Sequence, residues 1–431
     1  MIKKVIEIVS KLLKLRKKST KTLEEKGENL IPVKSQKEGK TTLDEESLYK
    51  RVNKPLIICR RLFYLLDSGE IRLASLSKKS KQNYSRRYKL SIKNYPGLKI
   101  DNVPKFKSAN EVLNYFEKNY NIDRKKLCFF AASEKSELYY KIKKISKNGK
   151  ERTLLIPSGF ARKVQRIIHK DILCKIQFPE EMYGFIKGRN IVQALQKHTG
   201  KDVVISLDIK DFFENTTERK VYQAFREILG YPSEVASLIT GLTTANTVYP
   251  YQEGSRKRVL PTGSPTSPII ANLCMARILH KINRRLSEIS DKKNVQIDFS
   301  IYADNVIISY NSNGIQTSEE LRKINDMIIS KLSRVFRWYG YELNHLKTKV
   351  MRKKKRVLGL VINQKINIDR NYYRKLRAQT HRIYLKGIDQ TDKKMIESLK
   401  GKLNYLRYIN KAKYESLRRK YSAKLPELFT V

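Results

Sequence analysis

Acidic residues are scarce in this chain. Its 431 residues include 42 aspartates and glutamates against 91 lysines and arginines, a formal net charge of +49. Such an imbalance excludes a partner as basic as the chain itself. It points to a polyanion, nucleic acid before an anionic membrane, because no single basic amphipathic helix carries the charge. Cysteine is scarce too: Cys59, Cys128, Cys174 and Cys274 lie far apart and form no CxxC pair. That argues against a zinc site and suits reduced packing residues in a cytoplasmic protein. No run of 18 apolar residues exists, so no membrane span is expected. The N-terminal VIEIVSKLLKL is short and interrupted by Glu7 and Lys11, which argues against a signal peptide. There is no internal repeat. What is present is 40% hydrophobic residues, with 25 Tyr and 14 Phe. That is enough for a sizeable core and two or three subdomains, and too much for a disordered basic tail.

Along the chain, residues 1–15 predict one short amphipathic helix and residues 16–47 a charged linker. PLIICRRLFYLL reads as a packed helix, and 109–118 as another, with Val112, Leu113 and Phe116 on one face. Residues 203–209 (VVISLDI) form a β-branched run that predicts a buried strand, and 218–229 a helix. In 266–286, apolar residues at 269, 270, 273, 278, 279, 282 and 286 predict a long helix with one buried stripe. FSIYADNVIISY (299–310) predicts a hairpin with an aspartate at its tip. Residues 318–338 predict a helix. The tail 370–424 is helix-like and carries 17 lysines and arginines among many tyrosines.

Two β-elements thus present an aspartate at an exposed end, Asp208 and Asp304. If their strands are neighbours, the carboxylates converge and need something cationic between them. Two Mg²⁺ ions play that part in nucleotidyl transfer. Each aspartate alone reads equally well as a turn cap, and spacing does not choose.

In order along the chain come YYKIKKISKNGKERTLLIP, YGFIKGRNIVQALQKH, VISLDIKDFFEN, LPTGSPTSPIIANL, IYADN, LNHLKTK and VLGLVIN. The series resembles the blocks of a bacterial reverse transcriptase, most closely the retron and retron-like, defence-associated group, over roughly residues 110–385. Seven blocks in order are far more specific than any one. The resemblance implies an α+β right-hand polymerase. Its parts would be an N-terminal helix and linker (1–55), fingers (56–200), palm (201–363) and helical thumb (364–431). It implies RNA-templated DNA synthesis from deoxynucleotides with two Mg²⁺ ions, Mn²⁺ being an acceptable substitute. Asp208 and Asp304 match the palm carboxylates, with Ile209 between them as a further metal-binding position. Phe213 matches the aromatic gate that collides with a 2′-hydroxyl, and Asp211, Phe212, Thr262 and Gly263 fall with it on the nucleotide side. At Gly263 the backbone would pass close to primer and nucleotide, where bulk would collide. Arg152 matches a finger residue that grips the triphosphate, assisted by Lys150. Lys347 matches the lysine near the departing pyrophosphate, a general acid.

Several positions depart from the family pattern. The tetrad is YADN, so Asn305 keeps an oxygen ligand but loses a charge. Thr262 stands for a usual glutamine. ALQKH keeps only His198 of a retron block, and Val357-Leu358-Gly359 replaces another. These departures favour a defence-associated relative over a standard retron enzyme. The implied partner is a structured non-coding RNA serving as template and primer, together with its cDNA product. A second protein or self-association is left open, as is the priming group. The backbone grip is expected from Lys353, Lys354 and Lys355 in the basic run 347–356 and from Arg374, Lys375 and Arg377 in the tail. Rival readings are an RNA-dependent RNA polymerase, against which Phe213 counts, and a catalytically silent RNA-binding scaffold, against which Asp208 and Asp304 count.

Overall fold

The structure, a computed structural model, describes residues 95–429 apart from 96, 101, 133–138, 148–149, 247–257 and 313–316, and before them three strands between 56 and 74. The expected N-terminal helix and linker lie outside the described residues. All described residues fall in one unit, Asn53–Val431.

PLIICRRLFYLL is not a helix. It forms β1 (Leu56–Cys59) and β2 (Leu62–Asp67), which β3 (Glu70–Ala74) extends into a three-stranded antiparallel sheet. Short apolar runs do not reveal their period, and here the β-branched Ile57 and Ile58 and the aromatic Phe63 and Tyr64 favour strand. Next comes α1 (Ala109–Tyr120). Ser108 caps its start by accepting from the Glu111 amide, and Asn121 ends it in the left-handed region, φ 49°. After α2 (Arg124–Ala132), the fingers project a hairpin of β4 (Tyr140–Lys147) and β5 (Lys150–Pro157), then α3 (Gly159–Asp171) and the short α4 (Ile191–Gln196).

β6 (Val203–Asp208), a strand of the palm sheet, runs into α5 (Phe212–Asn215), α6 (Glu218–Glu227) and α7 (Ser233–Thr243). A two-stranded ribbon of β7 (Ala245–Asn246) and β8 (Arg258–Val259) leads to α8 (Ser267–Lys293). Every apolar position expected in the α8 stripe is buried, from Ile269 to Leu286. The hairpin of β9 (Ile297–Tyr302) and β10 (Asn305–Tyr310) follows, then α9 (Ser318–Trp338) and β11 (Lys349–Met351). The palm sheet has the order β11-β6-β10-β9 and is antiparallel throughout.

VLGLVIN is divided between two strands. β12 (Arg356–Val357) and β13 (Leu360–Val361) flank a turn in which Leu358 and Gly359 both have positive φ, and β14 (Asn367–Ile368) completes the small sheet. The tail resolves into α10 (Arg370–Lys386), α11 (Lys393–Ile409) and α12 (Lys411–Tyr421).

Strand alternation divides the palm sheet between two cores. Val203, Ile205 and Leu207 of β6, with Val306, Ile308 and Tyr310 of β10, join the main core that also holds the inner faces of α6, α8 and α9. Val204 and Ile307 point the other way, into a second core shared with β12–β14 and the tail helices. Asp208 and Asn305 fall on this second face, at the strand ends beyond the apolar packing.

Candidate active site

β6 and β10 pair so that Asn305 sits opposite Asp208. The β9–β10 turn puts Ala303 at φ 57° and brings Asp304 to the same sheet end, where the Ile209 amide donates to the Asp304 carbonyl at 2.9 Å. The two aspartates therefore converge as expected from neighbouring strands. Asp208 is 9% exposed and Asp304 half-buried. Burial, together with the nearby Asp208 charge, holds the Asp304 carboxyl above the usual aspartate range, against opposing effects from hydrogen bonding and Lys347. Lys347 arrives on the loop after Leu343. Its ammonium lies 3.1 and 3.0 Å from the two Asp208 carboxylate oxygens. The loop is fixed by backbone bonds, Asn344 N to Asp208 O at 2.7 Å and Lys347 N to Asn344 O at 3.0 Å. Asn305 Nδ2 donates to Asp304 Oδ1 at 2.8 Å, so its amide orients the neighbouring carboxylate.

Gly184, Asn272, Lys197 and Lys201, which sequence reasoning did not single out, and His198, which it named only as a block residue, hold this corner in place. A Cβ on Gly184 would lie 2.4 Å from the Ala303 nitrogen, so only glycine lets the YGF segment cross the catalytic turn. Asn272 of α8 donates to the Gly184 carbonyl at 2.6 Å. His198 is fully buried and bonds Ser309 of β10 at 2.7 Å and Ser300 of β9 at 2.8 Å, one with each ring nitrogen. Lys197 bonds the Phe299 carbonyl at 3.1 Å, and Lys201 pairs with Asp298 at 2.8 Å. Thus 197–201 staples the hairpin that carries Asp304. The glycine and the ALQKH block were visible in the sequence, but not the backbone and serines they approach.

On the nucleotide side the expectations divide. Phe213 is half-buried and edge-on to Phe185, with ring centroids 6.3 Å apart. Phe212, at 4% exposure, turns its ring inward against Tyr341, so its side chain packs in the core beside the half-buried Phe213. Asp211 is exposed and left-handed, φ 44°, at the start of α5. Gly263 is crowded by the protein itself. A Cβ there would meet the Leu155 carbonyl oxygen at 2.7 Å, so the crowding neighbour is finger strand β5. Thr262 reinforces the same seam, donating to the Thr153 carbonyl at 3.1 Å. The backbones of Lys150 and Arg152 lie in β5, opposite Lys147 and Ile145; their side chains are outside the described residues.

Lys353 and Lys354 are exposed, as are Arg374, Lys375 and Arg377 of α10. Lys355 is buried at 8%. Its amide donates to Asn363 Oδ1 and its carbonyl accepts from the Ile362 amide, and its burial sets it apart from the exposed Lys353 and Lys354. The tail tyrosines are mostly packing residues: Tyr414 and Tyr421 are buried, and Tyr372 and Tyr405 meet edge-on at 6.3 Å.

The donor set suits a hard divalent cation: two carboxylates and the Ile209 carbonyl beside them, which the flanking backbone bonds of Asp208 and Lys210 leave aside. No cluster of three or more His, Cys, Asp or Glu side chains that could hold a metal occurs among the described residues. The remaining ligands of an octahedral ion would therefore come from water and triphosphate. The cationic Lys347 already occupies the place where a positive charge relieves Asp208 and Asp304.

A palm hairpin and strand that present paired carboxylates, backed by two helices and flanked by a finger hairpin and a helical thumb, define a right-hand nucleotidyltransferase. The family model for reverse transcriptase (RNA-dependent DNA polymerase) matches residues 142–362, more than half of the chain. The chain belongs to the reverse transcriptase family, whose members typically use divalent metal ions. It is 27% identical over 288 residues to the retron Ec86 reverse transcriptase of Escherichia coli, across 65% of this chain and 80% of that one. The retron Mx162 reverse transcriptase of Myxococcus xanthus is 28% identical over 299 residues, across 65% of this chain and 59% of its own length. Among solved structures, a foamy viral protease-reverse transcriptase in complex with double-stranded DNA aligns with 92% of this chain and 61% of its own, at 16% identity and a TM-score of 0.37.

Proposed function

We propose that this chain copies a structured non-coding RNA into DNA from deoxynucleotides, with two Mg²⁺ ions held by Asp208, Asp304 and the Ile209 carbonyl. The observation that carries this reading is the pairing of Asn305 with Asp208, which sets Asp304 beside Asp208 with Lys347 across them. When bound, the ions would activate the primer hydroxyl and neutralise phosphate charge. The chain's own residues do the rest. Asn305 orients Asp304 through its amide. Lys347, paired with Asp208 here, would be freed once ions held Asp208 and, on its loop, would serve as proton donor to the leaving pyrophosphate. The half-buried Phe213 excludes a 2′-hydroxyl and so selects deoxynucleotides over ribonucleotides. Asp211 lies on the nucleotide side. Arg152 and Lys150 of β5 grip the triphosphate, and Thr262 and Gly263 hold β5 against the palm. Lys353, Lys354, Arg374, Lys375 and Arg377 contact the phosphate backbone of the template–primer. Likeness to retron enzymes supports a dedicated RNA and a part in antiphage defence, with a second protein or a second copy as a further partner.

The test is deoxynucleotide incorporation on an RNA template with Mg²⁺. Asp208→Ala and Asp304→Ala should each lower incorporation by at least about 10³-fold, as expected when a metal ligand of a two-metal site is removed, with RNA binding retained. Asn305→Asp should keep or raise activity. Full incorporation by either alanine variant would overturn the reading.

A further inference from the structure

The outer side of the palm helix α9 carries a concavity of about 260 Å³, open to solvent. Arg334 and Arg337 line it one turn apart, with Ser330, Ser333 and, from the following loop, His345. Both arginines are exposed, and neither has an ion-pair partner among the described residues. The one acid in the lining, Asp326, sits a turn or more away beside Arg322 at 3.7 Å. Four residues after Arg334, and so adjacent to it on the helix surface, stands Trp338, 86% exposed and the only tryptophan in the chain. Leu346, 98% exposed, follows His345. A basic residue in the last turn of a helix can serve the helix dipole alone. That accounts for Arg337, but neither for Arg334 a turn earlier nor for an uncovered indole.

Unpaired guanidinium groups and hydroxyl donors around one concavity, with an exposed indole beside it on the same helix, are the groups that hold a single nucleic-acid strand, phosphates on the cations and a base on the ring. We infer that this groove is a second binding site for single-stranded nucleic acid, separate from the thumb and from the basic run 352–356. It extends the polymerase reading and rests on it. The site is joined to the chemistry by a short path: His345 and Leu346 belong to the loop whose Asn344 amide bonds the Asp208 carbonyl and whose Lys347 reaches the Asp208 carboxylate. The strand could be part of the RNA or the departing DNA product, which share the phosphodiester chemistry the groove reads.

The single tryptophan makes the test direct. The full chain, stripped of nucleic acid, is titrated with oligouridine, oligodeoxythymidine or polyglutamate while Trp338 emission is followed; anisotropy of labelled oligouridine reports total binding in parallel. Oligouridine, oligodeoxythymidine or both should quench Trp338, RNA-only or DNA-only quenching identifying the source, and polyglutamate should not quench. Arg334→Gln with Arg337→Gln should weaken the quenching isotherm about tenfold and lower its salt slope by about 1.4, the value for two single-strand phosphates that are no longer neutralised. Anisotropy that reports binding while Trp338 is silent, or quenching unchanged in the double variant, would overturn the groove and leave the polymerase reading standing. Equal quenching by polyglutamate would make it a site for an acidic protein and overturn it as well. Absence of oligouridine binding by both measures would remove both readings.

Discussion

His198 is held at the centre of the palm by two serine hydroxyls, and its protonation state follows from where it sits. Burial, aided by the neighbouring Lys197 and Lys201 charges and opposed by Asp298, pushes its pKa down to about 3, so the folded ring is neutral. An unfolded histidine titrates near 6.5. Between those values the unfolded chain binds the extra proton, so the contribution to stability is full above about pH 6.5 and declines as pH falls toward 3, by up to about 1.4 kcal/mol per unit. Urea unfolding of the native chain and of His198→Gln, followed from pH 7 to 4.5, should show the gap between their midpoints narrowing with acid; a constant gap would mean the folded ring is charged. At this scale the sequence was legible where chemistry dictates residue type, as at Asp208 and Asp304. It was less so where a packing neighbour dictates it. The approach of β5 to Gly263 and the inward turn of the Phe212 ring depend on neighbours far away in sequence, and no local pattern announces them.

The segments 349–351 and 356–361 show what an element does to a charge run. Seven basic residues between 347 and 356 look equivalent in one dimension. Folded, Lys347 faces a carboxylate, Lys353 and Lys354 face solvent, and Lys355 is buried by the hydrogen bonds its backbone makes with 362–363. Replacing Lys353 and Lys354 together by glutamine should weaken RNA binding across many sequences and flatten the salt slope by about 0.9 for each duplex phosphate left without its cation. Lys355→Gln should leave that slope unchanged, and filter binding at several salt concentrations distinguishes the two. The same kind of ambiguity turned PLIICRRLFYLL from an expected helix into β1 and β2, since a run this short fits either period. The long stripe of α8 and the hairpin β9–β10 fit only one, and were legible.

Across the whole molecule, a charge of +49 exceeds what any active site uses and is the property most directly tied to a permanent polyanion. The chain purified at moderate salt should carry RNA, released steeply as salt rises; a preparation free of nucleic acid, or binding indifferent to salt, would assign the charge another purpose. The right-hand polymerase class was legible because the seven blocks follow one another, whereas the sharing of cores was not. Val204 and Ile307, on strands made in mid-chain, are fully buried in a core completed by residues 357–429. That arrangement sets a schedule for biosynthesis. While residues 357–429 are still inside or near the ribosome, the underside of this sheet has nothing to lie on, and β6 lacks its outer neighbour until 349–351 emerges. The face of the sheet that carries Val204 and Ile307 is therefore closed only when the helices of 370–421 pack beneath it, so a nascent chain that lacks them leaves those side chains against water.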